Sequence, residues 1–225
     1  MKILKQAGKW VVAAVMGCVC TAALCSCSEN DGEEDEYANW QPRNEQYFAN
    51  AMLTTGDSIA KAKRVYGSDW EKYCNHRLYL CYSRQTSAEH KTTDSVAVEI
   101  LKRGEEGKSP YTSDRVVIAY RTLLVPTSLH PTGLVVDHSG FSSEYDKVFD
   151  TATMSPSTFK VSELVKGVST ALLYMHKGDR WRVTIPADLA YGETASGDVP
   201  ANSTVIFEMQ LVEIYRNGTT PSDWQ

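Results

Sequence analysis

No motif for covalent or metal-dependent catalysis occurs in the sequence. It contains no Gly-x-Ser-x-Gly, no His-Glu-x-x-His and no glycine-rich phosphate loop. His130, His138 and His176 stand in segments that resemble loops or turns, and we expect them to be solvated. No cysteine and histidine spacing matches a zinc site. We therefore expect neither a cofactor nor a metal, and any catalysis here must proceed without a nucleophile.

The elements that would position a site lie in the second half of the chain, where apolar residues alternate in several short runs. Alternation with a period of two predicts strands with one buried face. These faces carry Val96, Val98 and Ile100; Val116, Ile118 and Tyr120; Trp181, Val183 and Ile185; and Val205, Phe207, Met209 and Leu211. Several antiparallel strands with one helix predict an α+β domain whose helix lies on one face of a sheet.

The helix is predicted to begin at Ser162 and to end at Lys177-Gly178, a typical C-terminal signal. Its apolar face would carry Leu164, Val168, Leu172 and Met175.

Residues 94–216 resemble an FKBP-type peptidyl-prolyl cis-trans isomerase domain. The strongest match is Trp181 to Gly192 (WRVTIPADLAYG), which is similar to the family's strand followed by an Ile-Pro-x-x-Leu-Ala-Tyr-Gly turn. Four further segments match in the family's order: Val148-Phe149-Asp150, Thr158 to Gly167, Val199-Pro200 and Thr204 to Glu208. Their shared order and spacing identify the domain more strongly than any one of them.

The resemblance implies a curved antiparallel β-sheet wrapped around one short α-helix, with a shallow apolar pocket between them. A partly helical N-terminal extension would precede this α+β domain. The implied catalytic residues are Tyr191, Asp150 and Phe149. The Tyr191 hydroxyl and the Val165 N–H would bond carbonyls of the peptide, and Asp150 would lie beside the twisting amide. The implied substrate-binding residues are Tyr120, Phe159, Leu164, Val165, Val168 and Phe207.

Such a pocket suits rotation about an X–Pro bond in a proline-containing polypeptide. Amide resonance sets a barrier of about 18–20 kcal/mol, and no covalent bond breaks. The planar amide is more charge-separated than the twisted one, so an apolar pocket favours the twisted transition state. We therefore expect an isomerase that assists the folding of exported proteins.

Three features depart from the family pattern. Val168 stands where many active members have a tryptophan in the pocket floor, and Ser157 replaces one of two aromatic residues before the helix. A long insertion, Leu123 to Lys147, separates Tyr120 from Phe149. The insertion could form a substrate-binding flap, cover the pocket or decorate an edge of the sheet.

The N-terminus has the pattern of a bacterial lipoprotein signal. Lys2, Lys5 and Lys9 precede an apolar run, Trp10 to Leu24, that is too short to span a membrane. Leu24-Cys25-Ser26-Cys27 resembles the site of cleavage and lipidation, with Cys27 as the lipidated residue. We predict a signal peptide at 1–26, an acidic tether at 27–39 and a cell-envelope protein held by its lipid at the periplasmic face or the cell surface.

The extension at 40–93 is predicted to be partly helical. Asn44 to Tyr66 has a helical rhythm, which Gly56 could interrupt, and Arg77 to Ser83 alternates like a strand. Cys74 and Cys81 could form a disulfide or remain thiols. Residues 217–225 form a C-terminal tail.

The formal net charge of −5, which becomes more negative without the three leader lysines, argues against nucleic-acid binding. Two alternatives to the enzyme remain open. The first is an FKBP-fold peptide-binding or chaperone module with little isomerase activity, which Val168 favours. The second is a surface lipoprotein scaffold whose 40–93 region mediates assembly. The oligomeric state is not determined by the sequence.

Overall fold

The computed structural model describes residues 35–140 and 155–218. Within them, one antiparallel sheet has the strand order β1-β2-β6-β7-β3-β4. The remaining strand, β5, pairs with the first half of β3, along the same edge as β4. The strands are β1 (His76–Leu80), β2 (Ser95–Lys102), β3 (Arg115–Leu124), β4 (Val135–His138), β5 (Ser157–Lys160), β6 (Arg180–Ile185) and β7 (Val205–Tyr215). The helices are α1 (Trp40–Tyr66), α2 (Trp70–Tyr73) and α3 (Lys166–Leu172). The predicted α+β class is confirmed.

The predicted alternation of the strands is confirmed by burial. The inner faces of β2, β6 and β7 carry Val96, Val183 and Met209, each without exposed surface. Burying one side chain of this size contributes about 1.5–3 kcal/mol. Ala97 and Ile206, on the opposite face, are buried as well. Both faces of the sheet are therefore covered over part of their area.

Helix α3 lies on the inner face and is shorter than predicted at both ends. Ser162 belongs to a 3₁₀ turn, and Val165 is extended (φ −56°, ψ 145°), so the helix begins only at Lys166. The prediction that it runs to Lys177 is wrong because the chain turns after Leu172 through hydrogen bonds that span three residues. At the helix start, a Cβ on Gly167 would lie 2.3 Å from Cγ2 of Ile185. This glycine lets α3 approach the end of β6.

Helix α1 covers the outer face of β1, β2 and β6. It continues through Gly56 without a break, and nothing lies within 4 Å of the position that a Cβ would take there. Tyr66, which the sequence pattern places on the buried face, is 45% exposed and stacks on Tyr73 instead. The buried residues of the helix are Trp40, Asn44, Phe48, Thr55 and Ala62.

The N-terminal extension also adds a strand to the sheet. β1 pairs with β2, with Arg77 opposite Val98, which confirms the strand predicted from alternation. Cys74 and Cys81 lie at opposite ends of β1, and both are buried free thiols. The domain boundary at residue 94 stays a prediction.

Candidate active site

A cluster of aromatic side chains lies at the inner face where β3, β5 and β7 meet. The Tyr120 ring is 5.7 Å from that of Phe159, edge to face, and 6.3 Å from that of Phe207. Edge-to-face and offset arrangements are the favoured geometries of such pairs. Tyr120 and Phe159 are half-buried, so the cluster presents an apolar surface to solvent.

Tyr191 reaches the same cluster from the turn after β6. Pro186 ends the strand, a 3₁₀ turn follows at Ala187–Leu189, and the Gly192 N–H donates to the Ala187 carbonyl. Gly192 has φ +66°, a conformation that favours glycine over other residues. Tyr191 is half-buried, and burial, followed by the charge of Asp137, raises the pKa of its hydroxyl. We refer to Tyr120, Phe159, Tyr191 and Phe207 as the aromatic cluster.

The entry to α3 forms another border of the cluster. Leu164 and Val165 are half-buried and pack against the same core as Tyr120 and Tyr191. Val165 is the residue before the helix, and its N–H donates to no acceptor among the described residues. Val168, one turn on, is only 1% exposed. It supports the cluster from beneath and offers a ligand almost no surface.

Asp137 belongs to this site, and the sequence analysis did not identify it. The described part of the insertion turns back on β3 as β4, with Asp137 opposite Thr122. The Tyr120 hydroxyl donates to the Asp137 carboxylate at 3.0 Å. On the backbone, Ser139 N–H donates to the Tyr120 carbonyl at 3.0 Å, and the Tyr120 N–H donates to Ser139 Oγ at 2.9 Å. The insertion thus places a carboxylate against the aromatic cluster.

The electrostatics of the site follow from this pairing. Burial, the charge of Asp137 and the hydrogen bond to it all raise the pKa of Tyr120. Both site tyrosines therefore keep their protons, and remain hydrogen-bond donors, beyond the ordinary tyrosine pKa of 10.0. The nearest sequence signal is the short apolar run Leu134-Val135-Val136, which ends at Asp137 but does not indicate what that acid contacts.

Phe149 and Asp150, two of the three predicted catalytic residues, lie outside the described residues, as does Cys27. The described residues bring together the third, Tyr191, with all six predicted substrate-binding residues. These are Tyr120, Phe159, Leu164, Val165, Val168 and Phe207.

Two cavities among the described residues lie away from the aromatic cluster. One of about 390 Å³ separates α1 from the outer sheet face at Ala97 and Thr184. Another of about 700 Å³ is lined by Tyr79, Tyr174 and Trp181. The aromatic cluster is instead an open apolar surface with a carboxylate and two hydroxyls, an arrangement that can bind and desolvate a small planar group.

The family model of FKBP-type peptidyl-prolyl cis-trans isomerases matches residues 107–212. The macrophage infectivity potentiator of Trypanosoma cruzi is 31% identical over 172 residues, which cover 76% of this chain and 78% of that protein. The FKBP-type 22 kDa peptidyl-prolyl cis-trans isomerase of Escherichia coli K12 is 31% identical over 137 residues, 60% of this chain and 58% of the relative. The outer membrane protein MIP of Legionella longbeachae is 33% identical over 111 residues, 48% of this chain and 40% of the relative.

Proposed function

The chain belongs to the FKBP-type peptidyl-prolyl cis-trans isomerase family, and from that premise we propose that it catalyses rotation about X–Pro bonds of exported polypeptides at the aromatic cluster. The observation that carries this proposal is the half-buried aromatic cluster, whose Tyr120 hydroxyl donates to the exposed Asp137 carboxylate. This contact supplies fixed polar groups beside the apolar cluster, although Asp137 itself is exposed to solvent.

The apolar cluster supplies the main catalytic effect. In water, the charge-separated planar amide is stabilised by solvation, and the twisted amide less so. Packing the proline ring against Tyr120, Phe159 and Phe207 removes that solvation and lowers the barrier of about 18–20 kcal/mol. Because no covalent bond breaks during the rotation, no nucleophile is needed.

The polar groups orient the peptide. The Tyr191 hydroxyl donates to a carbonyl beside the proline, and the Val165 N–H donates to a second one. Asp137 fixes the direction of the Tyr120 hydroxyl and lies beside the twisting amide. Because the pKa values of Tyr120 and Tyr191 are raised, both hydroxyls stay protonated, and the rate should not vary with their ionisation between about pH 6 and 9.

The roles that the family resemblance gives to Phe149 and Asp150 remain proposals alongside that of Asp137. Asp137 has the support of a direct contact within the cluster.

Replacing Tyr191 by phenylalanine is expected to lower the isomerase kcat/KM about tenfold, because a buried donor to the substrate carbonyl is lost. Exchange between cis and trans forms of a short X–Pro peptide, followed by NMR, measures this. Tyr174→Phe is the matched control, since Tyr174 stacks on Tyr79 at the distant cavity and should leave the rate unchanged. A folded wild-type protein without any acceleration would overturn the proposal. A peptide-binding module with Val168 in its floor would then be the better description.

We also propose that the protein is held in the cell envelope by lipid on Cys27. The Leu24-Cys25-Ser26-Cys27 pattern supports this, as does the outer-membrane name of the Legionella relative. Among the described residues, no helix has the length and apolar character needed to cross a bilayer.

Cys27→Ser is expected to abolish lipid modification and to move the protein from the membrane fraction to the soluble one, since the acyl chains supply the membrane affinity. Mass spectrometry of the mature N-terminus and fractionation measure the change. Cys25→Ser is the control and should keep its lipid. An unmodified Cys27 in the wild-type protein would contradict the assignment.

A further inference from the structure

Residues 36–44, which we call the strap, contact both loops that border the aromatic cluster. One is the β3–β4 loop (residues 125–134), which leads to Asp137. The other is the β6–β7 loop (residues 186–204), which carries Tyr191. The strap spans the turn before α1 and the first turn of that helix.

At the β6–β7 loop, Asn44 makes the central contact. It is 1% exposed, and its Oδ1 accepts a hydrogen bond from the Thr204 N–H at 2.8 Å. The Thr204 hydroxyl donates back to the Asn44 carbonyl at 3.0 Å. One helical turn earlier, the Trp40 indole N–H donates to Ser203 Oγ at 2.8 Å. Since these bonds are buried, they hold the end of the loop against α1.

The same loop is closed on itself next to Tyr191. The Asn202 N–H donates to the Gly192 carbonyl at 2.8 Å, which joins the segment held by the strap to the residue that follows Tyr191. The position of Tyr191 is thus linked to α1 through a short series of hydrogen bonds.

At the β3–β4 loop, Glu36 is the anchor. The Thr127 hydroxyl donates to Glu36 Oε1 at 2.5 Å, and His130 Nε2 lies 3.7 Å from the same oxygen. Thr127 Oγ1 also accepts from the His130 N–H, and the His130 carbonyl accepts from the Gly133 N–H. This loop continues directly into β4, where Asp137 meets Tyr120.

We propose that the strap positions Asp137 and Tyr191 relative to each other, and that Asn44 and Glu36 are positioning residues of the active site. This inference rests on the proposed isomerase function for its kinetic consequence, and on the hydrogen bonds alone for its structural one. The two loops belong to different strand connections, and the strap contacts both. The strap thus adds to each loop a contact that the two strand connections do not share.

Asn44→Ala and Thr127→Val test separately the two sets of strap contacts, which we call arms: one to the β6–β7 loop and one to the β3–β4 loop. Each removes hydrogen bonds of one arm, so amide hydrogen exchange should accelerate about tenfold in the loop of that arm alone. In Asn44→Ala the reporting amide is that of Asn202, and in Thr127→Val it is that of Gly133. In each variant the other loop should exchange as in the wild type.

The kinetic result expected for both variants is a KM raised about fivefold with kcat within about twofold of the wild type, because misplaced side chains weaken peptide binding first. Thr127→Ser keeps the hydroxyl and should restore wild-type values. Gln46→Ala is the control for α1, since Gln46 is exposed and its side chain donates to Asn50 within the same helix.

Exchange that accelerates equally throughout the sheet, or not at all, would overturn the strap as a positioning device, as would unchanged KM values in both arms of an active enzyme. If the wild-type protein lacks isomerase activity, the proposed function fails. The arm-specific exchange pattern then decides by itself whether the strap orders the two loops.

Discussion

Asp137→Asn is expected to lower the isomerase kcat/KM roughly tenfold while the fold is preserved, because a charged hydrogen-bond acceptor becomes a neutral one of the same shape. In the wild type, the Tyr120 hydroxyl donates to this carboxylate at 3.0 Å. The substitution removes the negative charge beside Tyr120 and Tyr191. The NMR exchange assay on an X–Pro peptide measures the rate.

A second readout of the same variant does not depend on activity. The charge of Asp137 raises the pKa of both Tyr120 and Tyr191 after burial, so Asp137→Asn should move both values down towards 10.0. Carbon-13 shifts of the tyrosine Cζ atoms, titrated with pH, follow each ionisation. Unmoved values would show that Asp137 does not face these hydroxyls in solution.

Asp150→Asn is the matched comparison, since the family resemblance assigns the carboxylate role to that residue. With Asp137 as the carboxylate that contacts Tyr120, we expect this variant to retain kcat/KM within about twofold. The opposite pattern, with Asp150→Asn impaired and Asp137→Asn active, would return the role to Asp150 and leave Asp137 as a packing partner of Tyr120.

Glu208→Gln is expected to lower the free energy of unfolding by about 3 kcal/mol, since a buried carboxylate paired with arginines is removed. Glu208 is 1% exposed on the outer face of β7. Arg121 on β3 donates to its Oε2 at 2.7 Å, and Arg180 on β6 donates to Oε1 through Nε at 2.9 Å. Arg182 Nη2 lies 3.8 Å from Oε2. The loss affects contacts across three neighbouring strands.

Urea unfolding measures this effect, with Glu99→Gln as the control. Glu99 pairs with Arg182 at 3.0 Å, but both side chains are more than 40% exposed, so this variant should lose at most about 1 kcal/mol. If Glu208→Gln were no worse than Glu99→Gln, the buried cluster would contribute no more than a surface ion pair.

The stabilisation by Glu208 should depend on pH. Burial alone would raise the pKa of Glu208, but hydrogen bonds from Arg180 and Arg121 and their charges outweigh it and hold the pKa below 4.5. A carboxyl with a lowered pKa in the folded state contributes fully above its unfolded pKa, and this contribution is lost as the pH falls through the folded value. The difference between the wild type and Glu208→Gln should therefore shrink in acid and stay constant above about pH 5.

Local patterns in the sequence were sufficient for β1, β2, β3, β6 and β7 and for Tyr191, whereas β4 and β5 were not predicted. The alternation of Trp181, Val183 and Ile185 predicts which face of β6 is buried, because the side-chain period of a strand is two whatever its neighbours are. Pro186 and Gly192 then place Tyr191 in a turn directly after the strand. This segment is the strongest match to the family, and four further segments in the same order made the family recognisable.

The length of α3 and the position of α1 were decided by packing. An apolar period of 3.6 predicts a face but not the residue at which the backbone becomes helical, and here Val165 stays extended so that α3 begins beside Ile185. α1 has an apolar stripe in the sequence, but its docking depends on Asn44 meeting Thr204, a contact between residues far apart in the chain.

The carboxylate of the site shows most clearly the difference between what local sequence patterns predict and what tertiary packing decides. Asp137 and Asp150 both follow an apolar residue within one long segment, and no local pattern distinguishes them. Which acid reaches Tyr120 depends on the register with which the chain turns back on β3, and register is set by pairing between strands. The sequence by itself determined the family, five of the seven described strands and the tyrosine. Only the tertiary structure could place Asp137 beside them, because that contact exists only once β4 has paired with β3.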